Sequence, residues 1–338
     1  MSGQDIDNIA ELGRWLEARI DGFSGLSAAR KFGDGQSNPS YHLIADSGDY
    51  VLRAKPPGNL LKSAHQVDRE FRVMQALAET EVPVPRMDYL SDEDTPLGRM
   101  FFVMEYLPGR IFWDPALPEL DQDDRGAIYD AMNETLARLH EVDVDAVGLR
   151  DFGAPGNYFA RQTARWSKQY RASALEANAD MDWLMDWLDA HMPDDETSRL
   201  VHGDYRLDNM IFHPTEPRVI ALLDWEISTL GHPLADLAYQ CMQWRLPHGG
   251  GMRGLGGLDR AAIGLPTEDA YVARYCERRG LPAIDNWPFY LAFSFFRLAA
   301  ILQGVVRRAH DGNASNPKRA REMAEAIPVL AKMARMGV

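Results

Sequence analysis

Val201-His202-Gly203-Asp204-Tyr205-Arg206-Leu207-Asp208-Asn209 sets an aspartate in a short polar loop, an arginine two residues on and an asparagine three beyond that. Fifteen residues past Asn209 a second acid, Asp224, closes the apolar run Val219-Ile220-Ala221-Leu222-Leu223. A base, a cation and two oxygen donors in this order are the parts that phosphoryl transfer requires. An attacking hydroxyl needs a carboxylate within hydrogen-bond reach, so Asp204 is the candidate base, with Arg206 as the cation beside it. Mg2+ takes hard oxygen ligands and keeps several waters, so the Asn209 amide and the Asp224 carboxylate suffice as protein ligands. Residues 210–212 and 218–223 read as two strands joined by His213-Pro214-Thr215-Glu216-Pro217. Such a hairpin returns Asn209 and Asp224 to the same end. A polar turn without chemistry accounts for His-Gly-Asp alone, but not for the whole set spread over residues 201–224.

The chain has 338 residues, of which 46% are hydrophobic and 25% charged. That is enough for one large or two ordinary domains. A net charge of −14 argues against a nucleic-acid surface. Cys241 and Cys276 stand far apart without metal spacing, which predicts a reduced, cytoplasmic chain. The acidic start, Met1-Ser2-Gly3-Gln4-Asp5, predicts no signal peptide. The most apolar stretch, residues 289–306, is interrupted by Ser294, Arg297 and Gln303. It predicts a buried helix and no membrane partner.

The spacing of Leu12, Trp15, Leu16 and Ile20 predicts an opening helix over residues 9–20. Gly33, Gly35, Gln36, Ser37 and Asn38 form a glycine-rich turn between two strand-like runs, where backbone N–H groups can approach phosphates closely. No P-loop signature occurs. A third strand over residues 50–55 places Val51, Arg53 and Lys55 on one face. Arg53 is the candidate phosphate cation, with Lys55 as its competitor. Residues 64–78 form an amphipathic helix whose apolar stripe of Val67, Phe71, Met74 and Leu77 contains Glu70. A carboxylate on a buried face needs a partner, and Arg53 is the nearest candidate. Residues 101–109 read as a buried strand running into a turn.

After Gly109 helical patterns dominate: residues 123–140, 157–174, 182–191 and, from 268 to 336, three or four more. Trp166, Trp183 and Trp187 read as core. Asp236 opens a helix and is expected to cap it and to brace the 202–209 loop. Residues 247–257 hold six glycines among eleven positions. They read as a mobile loop beside the acceptor, with a passive linker as the alternative.

Together, Gly35-Gln36-Ser37-Asn38-Pro39-Ser40-Tyr41, Val51-Leu52-Arg53, Asp68-Arg69-Glu70, Val103-Met104-Glu105-Tyr106, residues 202–209 and Leu223-Asp224-Trp225-Glu226 carry a family likeness. The chain resembles the aminoglycoside phosphotransferase and choline kinase superfamily, of protein-kinase-like fold, and in particular the kinase-like domain found alone or fused to acyl-CoA dehydrogenases. The resemblance implies ATP as donor, Mg2+ on Asn209 and Asp224, Asp204 as base and Arg206 facing the transferred group. It places the Arg53–Glu70 pair and the Gly33–Asn38 turn at the phosphates, and the backbone of Glu105, Tyr106 and Leu107 at the adenine. One departure stands out: Arg53 replaces the usual lysine. Within the matching loop, Gly203 stands where protein kinases carry an arginine.

The expected fold is α+β and two-lobed: a small antiparallel-sheet lobe over residues 1–108 and a larger, mostly helical lobe over 109–338. The expected function is ATP- and Mg2+-dependent phosphorylation of a small-molecule hydroxyl. Aminoglycoside-like polyols, choline-like alcohols and hydroxyacyl thioesters are the acceptor classes. The rival reading is a nucleotide-binding pseudokinase acting as sensor or scaffold.

Overall fold

The structure is a computed structural model that describes residues 6, 8–33, 38–57, 66–249, 253–312 and 317–337. The chain divides into two compact units. The first comprises Met1–Ile111, Ala146–Leu149 and Asp208–Ser228; the second comprises Phe112–Asp145, Arg150–Leu207 and Thr229–Val338.

The first unit is built on an antiparallel sheet. Its strands are β1 (Leu26–Lys31), β2 (Ser40–Ala45), β3 (Gly48–Ala54), β4 (Met87–Leu90) and β5 (Phe101–Glu105), in the order β1-β2-β3-β5-β4. Alternation gives the sheet its two faces. Tyr41, Leu43, Leu52, Ala54, Phe101 and Val103 share a core with Leu12 and Leu16 of α1 (Ile9–Glu17). Phe102, on the opposite side of β5, meets Phe71 of α2 (Val67–Leu77), with ring centroids 6.3 Å apart. Glu70 lies within the buried stripe of α2, at 1% exposure. β3 ends at Ala54, so Lys55 falls beyond the strand and pairs with Glu93 at 3.2 Å. Lys55 is therefore not the partner of Glu70.

β7 (Met210–Phe212) and β8 (Val219–Leu222) complete this unit as the expected hairpin. Met210 is paired with Leu222. Arg110 and Phe212 exchange backbone hydrogen bonds of 2.8 Å, which ties the chain leaving β5 to β7. Gly109 permits that approach, since a Cβ there would lie 2.5 Å from the Phe212 carbonyl oxygen.

The second unit is mostly helical. It contains α3 (Gln122–Glu141), α4 (Tyr158–Ser173), α5 (Ala179–Ala190), α6 (Leu234–Arg245), α7 (Glu268–Arg278), α8 (Trp287–His310) and α9 (Pro317–Met336). β6 (Arg199–Val201) and β9 (Thr229–Gly231) pair beside them. Among the described residues α8 alone is long and apolar enough to cross a membrane by length and composition, and 78% of its apolar window lies inside the fold. α4, α6 and α9 pack against it. Cys241 and Cys276 are free and buried.

One expectation needs correction here. Trp166, Trp183 and Trp187 are only half-buried. Trp183 stacks on Trp187 at 6.0 Å, and Trp187 on His191 at 4.2 Å. The 247–257 segment is not loose at its base. Residues 250–252 lie outside the described residues, but the flanks are tied: His248 N–H donates to Gly256 O at 3.1 Å and Gly256 N–H to Leu246 O at 2.8 Å. Gly254 and Gly256 serve close packing there. A Cβ on Gly254 would sit 1.8 Å from the Leu246 carbonyl oxygen.

Gly254→Ala should accordingly cost ~2–3 kcal/mol in urea unfolding, the usual cost of overpacking. Gly249→Ala meets open space at φ +74° and should cost only ~1 kcal/mol for the left-handed backbone. Equal losses at the two positions would show that the loop base is not closed as described.

Candidate active site

In the first unit the sequence-selected charges converge on Arg53. Its Nε lies 2.8 Å from Glu70 Oε2 and its Nη2 lies 2.7 Å from Asp224 Oδ1. Asn38 donates from Nδ2 to the other Glu70 oxygen at 2.6 Å. One guanidinium thus joins strand β3, helix α2 and the end of β8. Gly33 has a left-handed φ of +26°; Gly35, Gln36 and Ser37 fall outside the described residues.

Burial pushes the Glu70 carboxyl up to about 7, with Asp224 and Glu226 adding to the shift and Arg53 and Asn38 opposing it. Burial works against the Arg53 charge as well, but Glu70 and Asp224 outweigh it and raise the guanidinium above its ordinary value. Arg53 stays charged.

Asp224 sits at φ +65°. Aspartate is among the few residues that tolerate that conformation. The turn after it is fixed from inside: the Trp225 indole donates to Leu222 O at 2.9 Å, and the Ser228 hydroxyl to Trp225 O at 2.7 Å. Arg69 of α2 donates to Ser228 O at 3.3 Å, a second tie between helix and turn. Leu223 N–H donates to Asn209 O at 2.8 Å, which holds the backbones of Asn209 and Asp224 at one end of the hairpin.

The segment expected at the adenine is partly committed to the sheet. Glu105 N–H donates to Arg86 O at 3.0 Å and Tyr106 N–H to Asp49 O at 3.4 Å, so neither N–H is a spare donor. Leu107 keeps its N–H clear of hydrogen bonds among the described residues. The Tyr106 ring stacks on His42 at 4.3 Å.

The second unit holds Asp204 and Arg206, whose Nε lies 3.5 Å from Asp204 Oδ2. Asp204 N–H donates to His202 Nδ1 at 3.2 Å. Asp236 fixes this loop. Fully buried, it accepts N–H bonds from His202 at 2.7 Å and Gly203 at 2.8 Å. Burial would raise its pKa, but His140, His202 and the Gly203 N–H outweigh that and hold it low. His140 Nε2 lies 3.4 Å away, with its Nδ1 2.7 Å from the Tyr275 hydroxyl. Burial holds His140 neutral. The expected capping role of Asp236 is wrong: Pro233 occupies the cap of α6, and no side chain caps it. The carboxylate turns inward because two loop N–H groups need an acceptor there.

Sequence reading missed Tyr239. One turn past Asp236 on α6, it hydrogen-bonds the Asp204 carboxylate. Burial, then that carboxylate, raise the phenol well above its ordinary value, so it remains a donor. Its i+3 spacing from Asp236 was the available signal.

The model of the phosphotransferase enzyme family matches residues 28–293. The chain belongs to that family. It is 49% identical over 287 residues to acyl-CoA dehydrogenase family member 10 of Mus musculus, covering 85% of this chain and 27% of the relative. It thus spans about a quarter of that protein's length. A crystal structure from Ralstonia eutropha JMP134 is 46% identical, with a TM-score of 0.88 over 97% of each chain. Spectinomycin phosphotransferase, solved with ADP and spectinomycin, shares the fold at a TM-score of 0.66 and 12% identity, over 100% of this chain and 99% of its own. The resemblance read from the sequence and the kinase-like α+β fold both hold. In this member of the phosphotransferase enzyme family Arg53, Glu70, Asn38 and Asp224 form one bonded cluster, and Asp204, Arg206 and Tyr239 another.

The Glu70 shift carries a sign. Between the ordinary 4.5 and about 7 the folded state binds more protons than the unfolded chain, so stability falls as pH rises through that window. Glu70→Gln should flatten this part of the melting-temperature profile. An unchanged slope would show that Glu70 does not titrate there.

Proposed function

We propose that this chain is an ATP- and Mg2+-dependent phosphotransferase that phosphorylates a hydroxyl of a small molecule. The observation that carries the reading is the Arg53 cluster, in which a buried cation is bonded at once to a helix carboxylate and to Asp224. A fixed cation beside a carboxylate suits polyphosphate together with its metal.

The donor set fits Mg2+. Asp224 and Asn209 are hard oxygen donors at one hairpin end, and among the described residues Asp224 uses only Oδ1, toward Arg53. Bound there, the ion would neutralise phosphate charge as the transferred group moves. The chain's own residues supply the rest. Arg53 and the Gly33–Asn38 turn bind phosphate oxygens, and Glu70 keeps Arg53 in place. The Leu107 N–H is the donor available to a nucleobase.

Asp204 accepts the acceptor's hydroxyl proton as its oxygen bonds to phosphorus and the bond to the departing ADP breaks. Arg206 neutralises charge on the moving group. Tyr239 donates to the Asp204 carboxylate and fixes its rotamer. The ADP in the spectinomycin phosphotransferase structure supports nucleotide use. The likeness to an acyl-CoA dehydrogenase family member favours a hydroxyacyl thioester among the acceptor classes.

Asp204→Asn should retain Mg-ATP binding and lose ~10²–10⁴ in turnover, the usual worth of a positioned base. Near-full turnover would remove Asp204 from that role. Nucleotide binding without turnover in the unaltered protein, across hydroxylated metabolites, would favour the sensor reading.

Asp224→Ala should abolish Mg2+-dependent nucleotide binding, and Asn209→Ala should weaken it less, because a charged ligand outweighs an amide at a hard cation. Calorimetry showing the same Mg-ATP affinity for Asp224→Ala and the parent would refute the metal assignment.

A further inference from the structure

Arg297 lies in the middle of α8, the most apolar helix of the chain, and is 6% exposed. Its neighbours along the helix are Phe293, Phe295, Phe296 and Ala300, all buried. Among the described residues no ion pair or hydrogen bond holds it, and Asp204 and Asp236 act on the Tyr239 and Tyr158 phenols beside it. The contact of Arg297 is the face of Tyr239, 5.7 Å from guanidinium carbon to ring centroid. Burying a guanidinium without a bonded anion is costly, and a ring face offsets only part of that cost. The fold therefore holds inside its helical unit a positive charge with no anion bonded to it.

The position of that charge gives it a use. Tyr239 lies against Arg297 by its ring and against Asp204 by its hydroxyl. Tyr158 of α4, 6% exposed, also feels the Arg297 charge, so a second phenol borders the same spot. A guanidinium cannot be deprotonated, and its planar fork matches a carboxylate or a phosphate.

We propose that Arg297 is a specificity-determining residue that binds an anionic group, carboxylate or phosphate, of the hydroxylated acceptor. This rests on Asp204 being the base of the proposed transfer. A hydroxyl-bearing anion held by Arg297 is anchored one side chain from that base. A cationic acceptor is repelled by the same group. The bonded anion that Arg297 lacks arrives with the substrate.

The test uses the full chain and the variant Arg297→Met, with Arg297→Gln as a second variant should Met prevent folding. Thermal melting is measured first. Then glycolate, ethylene glycol and ethanolamine, which share a hydroxyl and differ in charge, are titrated with inorganic phosphate as a fourth probe, with and without Mg-ADP. Removal of a buried charge with no bonded anion should leave the variant melting at or above the parent. The parent should bind glycolate and phosphate in preference to ethylene glycol and ethanolamine, and the variant should lose that preference by ~10–100-fold, the worth of a charge-assisted hydrogen bond. Mg-ADP affinity should be unchanged.

A parent with no preference for anions, a variant with the parent's anion affinity, or a variant that melts lower with anion binding intact each overturns the proposal. Failure of Mg-ADP to bind the parent would instead count against the kinase reading. The nucleotide-free anion titrations still read Arg297 in that case.

Discussion

Arg53 is the charge on which the first unit depends. It lies on β3, 17 residues before Glu70 and 171 before Asp224 in the sequence, and it bonds both carboxylates. Without it Glu70 would meet Asp224 and Glu226 unopposed, and both already raise its pKa. The bidentate arrangement also accounts for the family departure at this position. Arginine meets one acid through Nε and the other through Nη2, in fixed directions. Lysine offers a single point charge.

The second unit solves a similar problem by another route. Asp236 is a buried acid without a guanidinium, and two backbone N–H groups and a neutral histidine satisfy it instead. Those donors belong to the loop that carries Asp204, so the acid's need for partners and the loop's need for a fixed shape are met together. Tyr205 adds a third anchor, with its hydroxyl bonded to Met132 O of α3 at 2.6 Å. The candidate base then projects from a backbone held on several sides, its side chain 24% exposed.

Much of this was legible in the sequence because the signals were periodic or chemically expensive. Glu70 inside an apolar helical stripe had to find a cation, and it did. The hairpin of β7 and β8 followed from an apolar run ending in an acid. What stayed hidden has physical reasons too. β6 and β9 have three residues each, too few to show alternation. Asp236 read as a cap because helix starts favour aspartate, whereas the true start is Pro233. The six glycines of residues 247–257 suggested freedom, but sequence cannot separate a glycine chosen for mobility from one chosen for close approach, as at Gly254. Arg297 was visible only as an interruption of an apolar helix. Tyr239 was visible only as a residue three past Asp236, because its partner lies 35 residues away in sequence.

Two positions of the central motif share a left-handed backbone. Gly203 has φ +86° and Asp224 φ +65°, both in the left-handed region. At Gly203 that twist aims the N–H at Asp236, 2.8 Å away, and a side chain there would be strained by ~1–2 kcal/mol. Glycine in place of the arginine of protein kinases is therefore what this bracing geometry demands, independent of any role in binding. At Asp224 the same twist follows the end of β8, and the residue cannot become glycine without losing its carboxylate. Aspartate, with a short polar side chain, is one of the few that meet both demands. The strain is held by Trp225, whose buried indole bonds back to Leu222. A large aromatic directly after the acid is thus part of how the acid keeps its place.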